Sequence, residues 1–423
     1  MFTTHKLKNG ARVVLSPYGG TEAATILVMF KVGSRDEDLK VWGGSHFIEH
    51  LMFKGTKKRP ETMDITRELD QYGAEFNAYT GKDLTAYYVK ITAERLPVAV
   101  DLLEDMLFHS KFDGKEMAKE KKVIQEEIKM YEENPIMHLE DMLEEAMFDG
   151  HVLGRNIAGT GETMTKMKRD DVIKYRDQFY VPENMVVIVS GKVPKDILKL
   201  LESGFGKIPH AKRAMFENVY LPGKHQASVL RRQEKPLEQI QVALGFPIPG
   251  RAHDDSYAIK VLATILGGTM SSRLFIQVRE KRGLCYTVRA NAEQYDDVGL
   301  LSVRAGLDAK RLPLAAKTII AELKKMAKDG VTSKELSDAK EHWRGALTLQ
   351  LEDSSARAEF FGRQELFEGK VETLDARMNR VNAVKAGDIK RVAREYLNPA
   401  KMSLAVIGPY KTDAEVLKMF GIK

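Results

Sequence analysis

An internal repeat relates the two halves of the 423-residue chain and limits what it can fold into. Residues 171–191 resemble residues 388–408, and Asp, Pro, Met and Gly recur in both at an offset of 217 residues. Residues 30–33 and 246–250 correspond in the same way after a short shift. This period is far too long for a solenoid repeat. The repeat therefore predicts a duplicated domain of about 210 residues.

Strand and helix patterns are mixed within each half without strict alternation, which indicates an α+β fold. In the first half, strands are predicted at 25–32, 74–80, 84–92 and 185–190, and helices at about 94–109, 114–132, 136–148 and 168–180. We expect an N-terminal domain at 1–210 and a C-terminal duplicate at 233–423. The basic segment 211–232, which contains Pro222-Gly223, is the expected linker.

The composition excludes several classes of protein. Hydrophobic residues make up 43% and charged residues 30% of the chain, as in ordinary globular proteins. The sequence contains no run of 18 apolar residues, so no membrane span is predicted. The N-terminus has no apolar signal core and Cys285 is the single cysteine, so we expect a cytoplasmic protein without internal disulfides. The net charge of +6 is dispersed and no basic-aromatic motif occurs, which argues against a nucleic-acid partner.

One motif in the first half points to metal chemistry. His46, Glu49 and His50 form His-x-x-Glu-His in a stretch that favours a helix, with Ser45 as the expected N-cap. On a helix the two histidines lie one turn apart on one face, where they can bind one zinc ion. Glu49 beside them is the candidate general base, and this order of residues is the inverzincin signature. The alternative is a pair of structural histidines on an amphipathic helix.

The repeat supplies an internal control for this motif. The counterpart of the histidine helix lies near 258–270 and contains neither a histidine nor a carboxylate. The fold therefore does not need His46, Glu49 and His50, and their presence in one copy favours a chemical role.

A catalytic zinc site takes a third protein ligand, which we expect on the helical segment 116–131. Its phase predicts a polar stripe of Lys119, Lys122, Glu126, Lys129 and Glu133 and an apolar stripe of Val123, Ile124, Ile128 and Tyr131. Glu127 and Glu120 lie at the edge of the apolar stripe, where a carboxylate needs a partner. We expect Glu127 to be the ligand and Glu120 to support a ligand histidine. Glu126 is the alternative ligand, and a peripheral salt bridge is the alternative role for Glu120 and Glu127.

These residues resemble the pitrilysin and mitochondrial processing peptidase family of zinc peptidases. The run His46-Phe-Ile-Glu-His-Leu-Met-Phe-Lys-Gly-Thr and a glutamate 77 residues after His50 carry the resemblance, which extends over nearly the whole chain. It implies that each domain is a mostly antiparallel sheet packed with helices. It also implies that the chain forms one half of a clam-like chamber.

The resemblance assigns further residues to substrate. Arg279 and Tyr286, seven residues apart, match the family element that reaches a zinc site and binds substrate. The resemblance implies a catalytic role for both residues in stabilising the oxyanion. Asn77 and Ala78 match the edge strand that pairs with the substrate peptide. Because one chain carries both the zinc motif and the Arg/Tyr element, the resemblance implies a homodimer.

The expected function is that of a zinc endopeptidase with one zinc per chain, acting on oligopeptides or small unfolded proteins. The alternative is a non-catalytic core or partner subunit, since some members of the family have lost activity. The intact set of His46, Glu49, His50 and Glu127 favours the enzyme. The short Gly267-Gly268-Thr269 segment lacks the long glycine-rich loop of the processing-peptidase partner subunit, which favours a general peptide substrate.

Overall fold

The computed structural model describes residues 2–212, 214, 219–220 and 229–422. Most of the predicted linker at 211–232 therefore lies outside the described residues. Packing divides the chain into two compact units. The first comprises residues 1–129, 156–218 and 346–374, and the second comprises residues 130–155, 219–345 and 375–423.

The described strands, in chain order, are β1 (Thr3–Lys6), β2 (Arg12–Pro17), β3 (Ala23–Phe30), β4 (Glu75–Thr80), β5 (Thr85–Thr92), β6 (Met185–Gly191), β7 (Leu230–Glu234), β8 (Gln239–Pro249), β9 (Cys285–Gln294), β10 (Val298–Asp308) and β11 (Ser403–Gly408). The described α-helices are α1 (Gly44–Met52), α2 (Thr62–Asp70), α3 (Leu96–His109), α4 (Gly114–Glu133), α5 (Pro135–Met147), α6 (Gly161–Lys166), α7 (Arg169–Phe179), α8 (Ile197–Ser203), α9 (Ser256–Ala263), α10 (Leu312–Asp329), α11 (Ser333–Gln350), α12 (Ser354–Glu368), α13 (Leu374–Ala383), α14 (Ala386–Tyr396) and α15 (Asp413–Phe420).

The sheet of the first unit has the strand order β1-β2-β6-β3-β5-β4 among the described residues. The β2–β6 pair is parallel and the other pairs are antiparallel. The central strand β3 is buried on both faces of the sheet. Its alternate residues point to opposite sides and therefore enter two different cores. Val28 and Phe30 belong to the core that contains α1 and α3, and Leu27 and Met29 belong to the core on the α12 side. The sheet therefore lies between two layers of helices.

The sheet of the second unit repeats this arrangement. Its order is β7-β11-β8-β10-β9, so that each strand occupies the place of its repeat counterpart in the first sheet. The β7–β11 pair is parallel and the remaining pairs are antiparallel, as in the first sheet. The expected α+β fold of two duplicated, mostly antiparallel sheets packed with helices is confirmed.

Two helices at equivalent positions in the repeat are exchanged between the units, so that each packs on the sheet formed by the other half of the sequence. Helix α12 comes from the second half of the sequence but packs on β3 and β6 of the first unit. Helix α5, its counterpart in the first half, packs on β8 and β11 of the second unit. The compact units thus differ from contiguous domains at 1–210 and 233–423, and those boundaries stay a prediction. The difference arises because each helix buries its apolar face on the sheet of the other sequence half.

Glycine permits the close approach of both exchanged helices. A Cβ atom at Gly362 of α12 would lie 2.7 Å from Sδ of Met29 and 2.8 Å from Cδ1 of Ile188. A Cβ atom at Gly245 of β8 would lie 2.7 Å from Sδ of Met147 in α5. The same device, with the glycine once on the helix and once on the strand, brings helix and sheet together in each unit. Within the described part of the chain, no helix is long and apolar enough to cross a membrane.

Candidate metal centre

The helix that carries the histidines begins at Gly44, two residues earlier than the expected N-cap at Ser45 implies. Gly43 is the N-cap, with φ of 92°, and a Cβ atom there would lie 2.6 Å from the carbonyl oxygen of Ala158. Both the left-handed backbone and the lack of space require glycine. The prediction of Ser45 as the N-cap is therefore wrong.

A buried carboxylate caps this helix instead of a local side chain. Glu37 accepts hydrogen bonds of 2.7 Å from the backbone N–H groups of Gly43 and Ser45, and the Ser45 hydroxyl lies 3.0 Å from that of Tyr175. Burial raises the pKa of Glu37 to about 8, and the two backbone hydrogen bonds only partly offset that effect. Glu37 thus fixes the start of the histidine helix from a preceding loop.

The structure brings His46 and His50 of α1 together with Glu127 of α4. The two Nε2 atoms of the histidines lie 3.2 Å apart. Oε1 of Glu127 lies 3.7 Å from Nε2 of His46, and Oε2 lies 3.5 Å from Nε2 of His50. One possible ligand atom from each of the three residues lies within 4.8 Å of the other two.

The spacing of these atoms fits a zinc ion. Bonds of about 2.0–2.2 Å to nitrogen and oxygen give a tetrahedron with edges of about 3.3–3.6 Å. The two histidine nitrogens lie 3.2 Å apart, and each lies 3.5–3.7 Å from one of the two Glu127 oxygens, which are separations on the scale of those edges. Two imidazoles and one carboxylate are also a donor set that zinc accepts in catalytic sites. The residues therefore fit the expected metal.

Burial favours the neutral form of His46 that can bind a metal. Desolvation, together with the charge of His50, lowers the pKa of His46 to about 3. Desolvation raises the pKa of Glu127, although the charge of His50 opposes it. A cation between the histidines and Glu127 would compensate for burying the carboxylate.

Glu120 and Lys54 support one of the histidines. Nδ1 of His50 lies 2.8 Å from Oε1 of Glu120, and Nζ of Lys54 lies 2.7 Å from the other carboxylate oxygen. Burial raises the pKa of Glu120, but the hydrogen bonds from His50 and Lys54 outweigh it and lower the pKa. The charged carboxylate accepts the Nδ1–H proton and leaves the Nε2 lone pair of His50 directed toward the site.

Glu49, the candidate base, lies on the same helix and is held by the end of β4. The hydroxyl of Thr80 donates a hydrogen bond of 2.6 Å to Oε2 of Glu49. Desolvation raises the pKa of Glu49 and the bond from Thr80 lowers it, with a net upward shift. A partly buried carboxylate with a raised pKa beside a metal site suits proton transfer.

Helix α4 shows why Glu127, rather than Glu126, faces the histidines. Glu126 is 73% exposed and pairs with Lys129 on the polar stripe. Ile124 and Ile128 are buried as expected, but Val123 is 51% exposed, so its assignment to the buried stripe is wrong.

The residues expected to bind substrate lie in two places. Asn77 and Ala78 are in β4, at the edge of the first sheet, and Asn77 Oδ1 accepts a hydrogen bond of 2.9 Å from the Ala78 N–H. Arg279 and Tyr286 belong to the second unit, where the guanidinium carbon of Arg279 lies 5.2 Å from the centre of the Tyr286 ring. The Tyr286 side chain is 72% exposed. This cation–π pair leaves both polar ends accessible.

Sequence reasoning missed three residues that hold the site together: Glu37, Lys54 and Thr80. Lys54 lies within the run quoted for the resemblance and Thr80 lies two residues after Ala78, but sequence spacing does not identify the partner of either residue. Glu37 is nine residues before His46 in an acidic loop. Its contact with the helix depends on the loop conformation, which no periodicity describes.

A duplicated α+β fold with a His–His–Glu donor set in one copy has the features of a metal-binding protein, and comparison with known proteins gives the family. Residues 12–161 match the sequence model of the insulinase family, peptidase family M16. Residues 166–342 match the model described as the peptidase M16 inactive domain, which agrees with the lack of a second histidine motif. The chain belongs to peptidase family M16, and the expected family is confirmed.

Relatives match over nearly their whole length. The chain is 37% identical over 409 residues to the uncharacterized zinc protease YmxG of Bacillus subtilis, covering 97% of this chain and 98% of that protein. It is 35% identical over 406 residues to the uncharacterized zinc protease Rv2782c of Mycobacterium tuberculosis, covering 96% and 92%. The crystal structure of a protease from Helicobacter pylori is similar with a TM-score of 0.89 at 26% identity, over 97% of this chain and 99% of that one.

Proposed function

We propose that this chain is a zinc-dependent endopeptidase that hydrolyses oligopeptides or small unfolded proteins. The observation that carries the proposal is the donor set of His46, His50 and Glu127, whose atoms converge at separations of 3.2–3.7 Å, with Glu49 on the same helix but outside that set. Membership of peptidase family M16 and the zinc protease names of its relatives support the same class of reaction.

Three side chains hold the metal, and Glu49 moves the proton. When bound, zinc acts as a Lewis acid and lowers the pKa of water to near neutrality. Glu49 takes a proton from the water that attacks the peptide carbonyl carbon. It then transfers this proton to the nitrogen of the leaving amine as the C–N bond breaks. The raised pKa of Glu49 favours the uptake of the proton from water, because the protonated carboxyl is less costly in a desolvated site.

Substrate would be held by backbone and by the Arg/Tyr pair. An extended peptide can add to the edge of β4 through its main chain, with the Ala78 N–H as one donor once Asn77 releases it. Arg279 and Tyr286 offer donors for the carbonyl oxygen as it gains charge. Main-chain recognition places little demand on sequence, which fits a general peptide substrate.

The assembly we propose is a homodimer in which each active site uses two chains. The family resemblance implies that the Arg/Tyr element meets the zinc site of an opposite half. Since this chain has both parts, a second copy related by two-fold symmetry would supply that half. The two half-chambers would then enclose the peptide.

Digestion of an unbiased peptide library, followed by mass spectrometry, tests the proposed function. We expect internal cleavages that a chelator abolishes and that added zinc restores. Glu49→Gln keeps the shape of the base but cannot take the proton, so turnover should fall by at least about 10²-fold while zinc is retained. A metal-loaded protein that cleaves nothing, or a Glu49→Gln variant that cleaves normally, would contradict the proposal. The first result would favour a non-catalytic subunit.

A further inference from the structure

Thr80 is the last residue of β4 and the structure gives it one specific partner in the candidate site. Its Oγ1 lies 2.6 Å from Oε2 of Glu49. Among the described residues, this is the single hydrogen bond to the Glu49 carboxylate. A hydroxyl must donate to an ionised carboxylate, which has no proton of its own, so the direction of the bond is fixed in that state. Such charge-assisted bonds are short and strong.

Other hydroxyl groups near Glu49 are engaged elsewhere. The buried hydroxyls of Tyr87 and Tyr180 lie 2.9 Å from each other and form their own hydrogen bond. Both lie close enough for the charge of Glu49 to raise their pKa further, after the larger effect of burial. They therefore contribute to the surroundings of Glu49, but Thr80 alone orients it.

The bond divides the two carboxylate oxygens between two tasks. Thr80 holds Oε2, and Oε1 accepts no hydrogen bond from any described residue. A glutamate side chain has several rotatable bonds, and restricting them costs conformational entropy unless a contact compensates. An oxygen that must receive a proton from water has to be directed within a narrow range of distance and angle. Holding one oxygen directs the other.

Strand β4 links this orientation to the peptide. Ala78 lies two residues before Thr80 on the same strand, about 7 Å along it, and β4 is the edge of the sheet. A peptide that pairs with the open edge of β4 would thus be positioned by the strand that positions the base.

We propose that Thr80 is a positioning residue: its hydroxyl fixes the Glu49 carboxylate so that Oε1 faces the reacting water, in a constant register with a peptide on β4. This inference rests on the proposed peptidase function. It goes beyond it by assigning a residue outside the metal ligands and the base.

Three variants test the assignment on the zinc-loaded protein with a peptide substrate. Thr80→Val keeps the shape and removes the hydroxyl, and we expect kcat to fall about 10- to 100-fold, the usual effect of a lost bond to a charged group. KM and zinc content should stay near wild type. Thr80→Ser restores the hydroxyl and should recover kcat to within a few-fold. Thr92→Val, at the far end of β5 in the same sheet, is the matched control and should behave as wild type.

Unfolding of the metal-free protein gives a second readout that does not depend on activity. Thr80→Val should lower the denaturant midpoint in the wild-type background but not in a Glu49→Ala background, since the partner is then absent. Equal shifts in both backgrounds, or a Thr80→Val enzyme with normal kcat, would overturn the assignment. A wild-type protein that cleaves no peptide would instead overturn the proposed function, and the unfolding cycle would still decide whether Thr80 and Glu49 interact.

Discussion

His50 and Glu120 form a hydrogen bond of 2.8 Å between Nδ1 and Oε1, although they lie 70 residues apart in the sequence. The bond selects the tautomer of His50 in which Nε2 is free to bind metal. Lys54 holds the second oxygen of Glu120, so the carboxylate stays charged although its side chain is only 6% exposed. Lys54 thus holds Glu120, and Glu120 in turn fixes the tautomer of His50.

We therefore expect Glu120→Gln to weaken zinc binding by about 10- to 100-fold, the usual effect of removing such a support. The glutamine oxygen can still accept a hydrogen bond but has no charge to stabilise the imidazole. Competition with a chromophoric chelator measures the affinity. Glu116→Gln, one turn earlier on α4 and paired with Lys119, is the control and should bind zinc normally. Equal affinities for Glu120→Gln and wild type would refute this role.

Substitution of two neighbouring glutamates tests which of them is the third zinc ligand. Glu127→Gln should lose most of the bound zinc, because its oxygens lie 3.5 and 3.7 Å from the two histidine nitrogens. Glu126→Gln should keep it, since Glu126 is solvent-exposed and paired with Lys129. Elemental analysis after desalting gives the zinc content of each variant. Loss in Glu126→Gln with retention in Glu127→Gln would move the ligand by one residue.

Much of the fold could be predicted from the sequence because the repeat and the periodicity are local signals. The strand predicted at 84–92 and the helix predicted at 114–132 agree with β5 and α4 to within one residue at each end. The exchange of α5 and α12 could not be predicted, since the two helices occupy equivalent positions in the repeat. Which sheet each one covers depends on three-dimensional packing.

The candidate site divides in the same way. His46, Glu49 and His50 are recognisable because helical spacing alone brings them together. The helix phase favours Glu127 over Glu126 as the ligand, and the orientation of α4 places the Glu127 carboxylate beside the two histidines. Glu37 and Thr80 act across loop and sheet contacts that leave no pattern in the sequence.

Glu37 should make stability depend on pH. Its pKa is raised from 4.5 to about 8, so the folded protein binds a proton that the unfolded chain releases between those values. The contribution is complete below about pH 4.5 and is lost as the pH rises toward 8, with a slope of at most about 1.4 kcal/mol per unit. Glu37→Gln should remove this slope.

Denaturant unfolding of wild type and of Glu37→Gln at pH 5, 6, 7 and 8 measures how the free energy of unfolding depends on Glu37. The stability of wild type relative to Glu37→Gln should decrease steadily with rising pH, while groups common to both cancel. A relative stability that is constant or that increases with pH would show that Glu37 is ionised in the folded protein.

Gly362 should be necessary for the packing of α12. A leucine at this position would meet Met29 and Ile188, and overpacking of this kind costs about 1–3 kcal/mol. Gly345 in α11 is the matched control, since a Cβ atom there meets nothing within 4 Å. Gly345→Leu should stabilise the protein by up to about 0.8 kcal/mol through helix propensity. Denaturant unfolding compares the two, and equal effects would exclude close packing at Gly362.

The proposed dimer predicts complementation between two inactive variants. Glu49→Gln removes the base, and a double Arg279→Ala, Tyr286→Phe variant removes the substrate element. If each site takes its base from one chain and the Arg/Tyr pair from the other, a mixed dimer has one site with both defects and one intact site. Random exchange at equal amounts makes half of the dimers mixed, so activity should recover to about a quarter of wild type. Native mass spectrometry verifies the exchange. Mixed dimers without activity would show that the two chains do not share their sites. If each site used residues of one chain only, every site in a mixed dimer would carry one of the two defects.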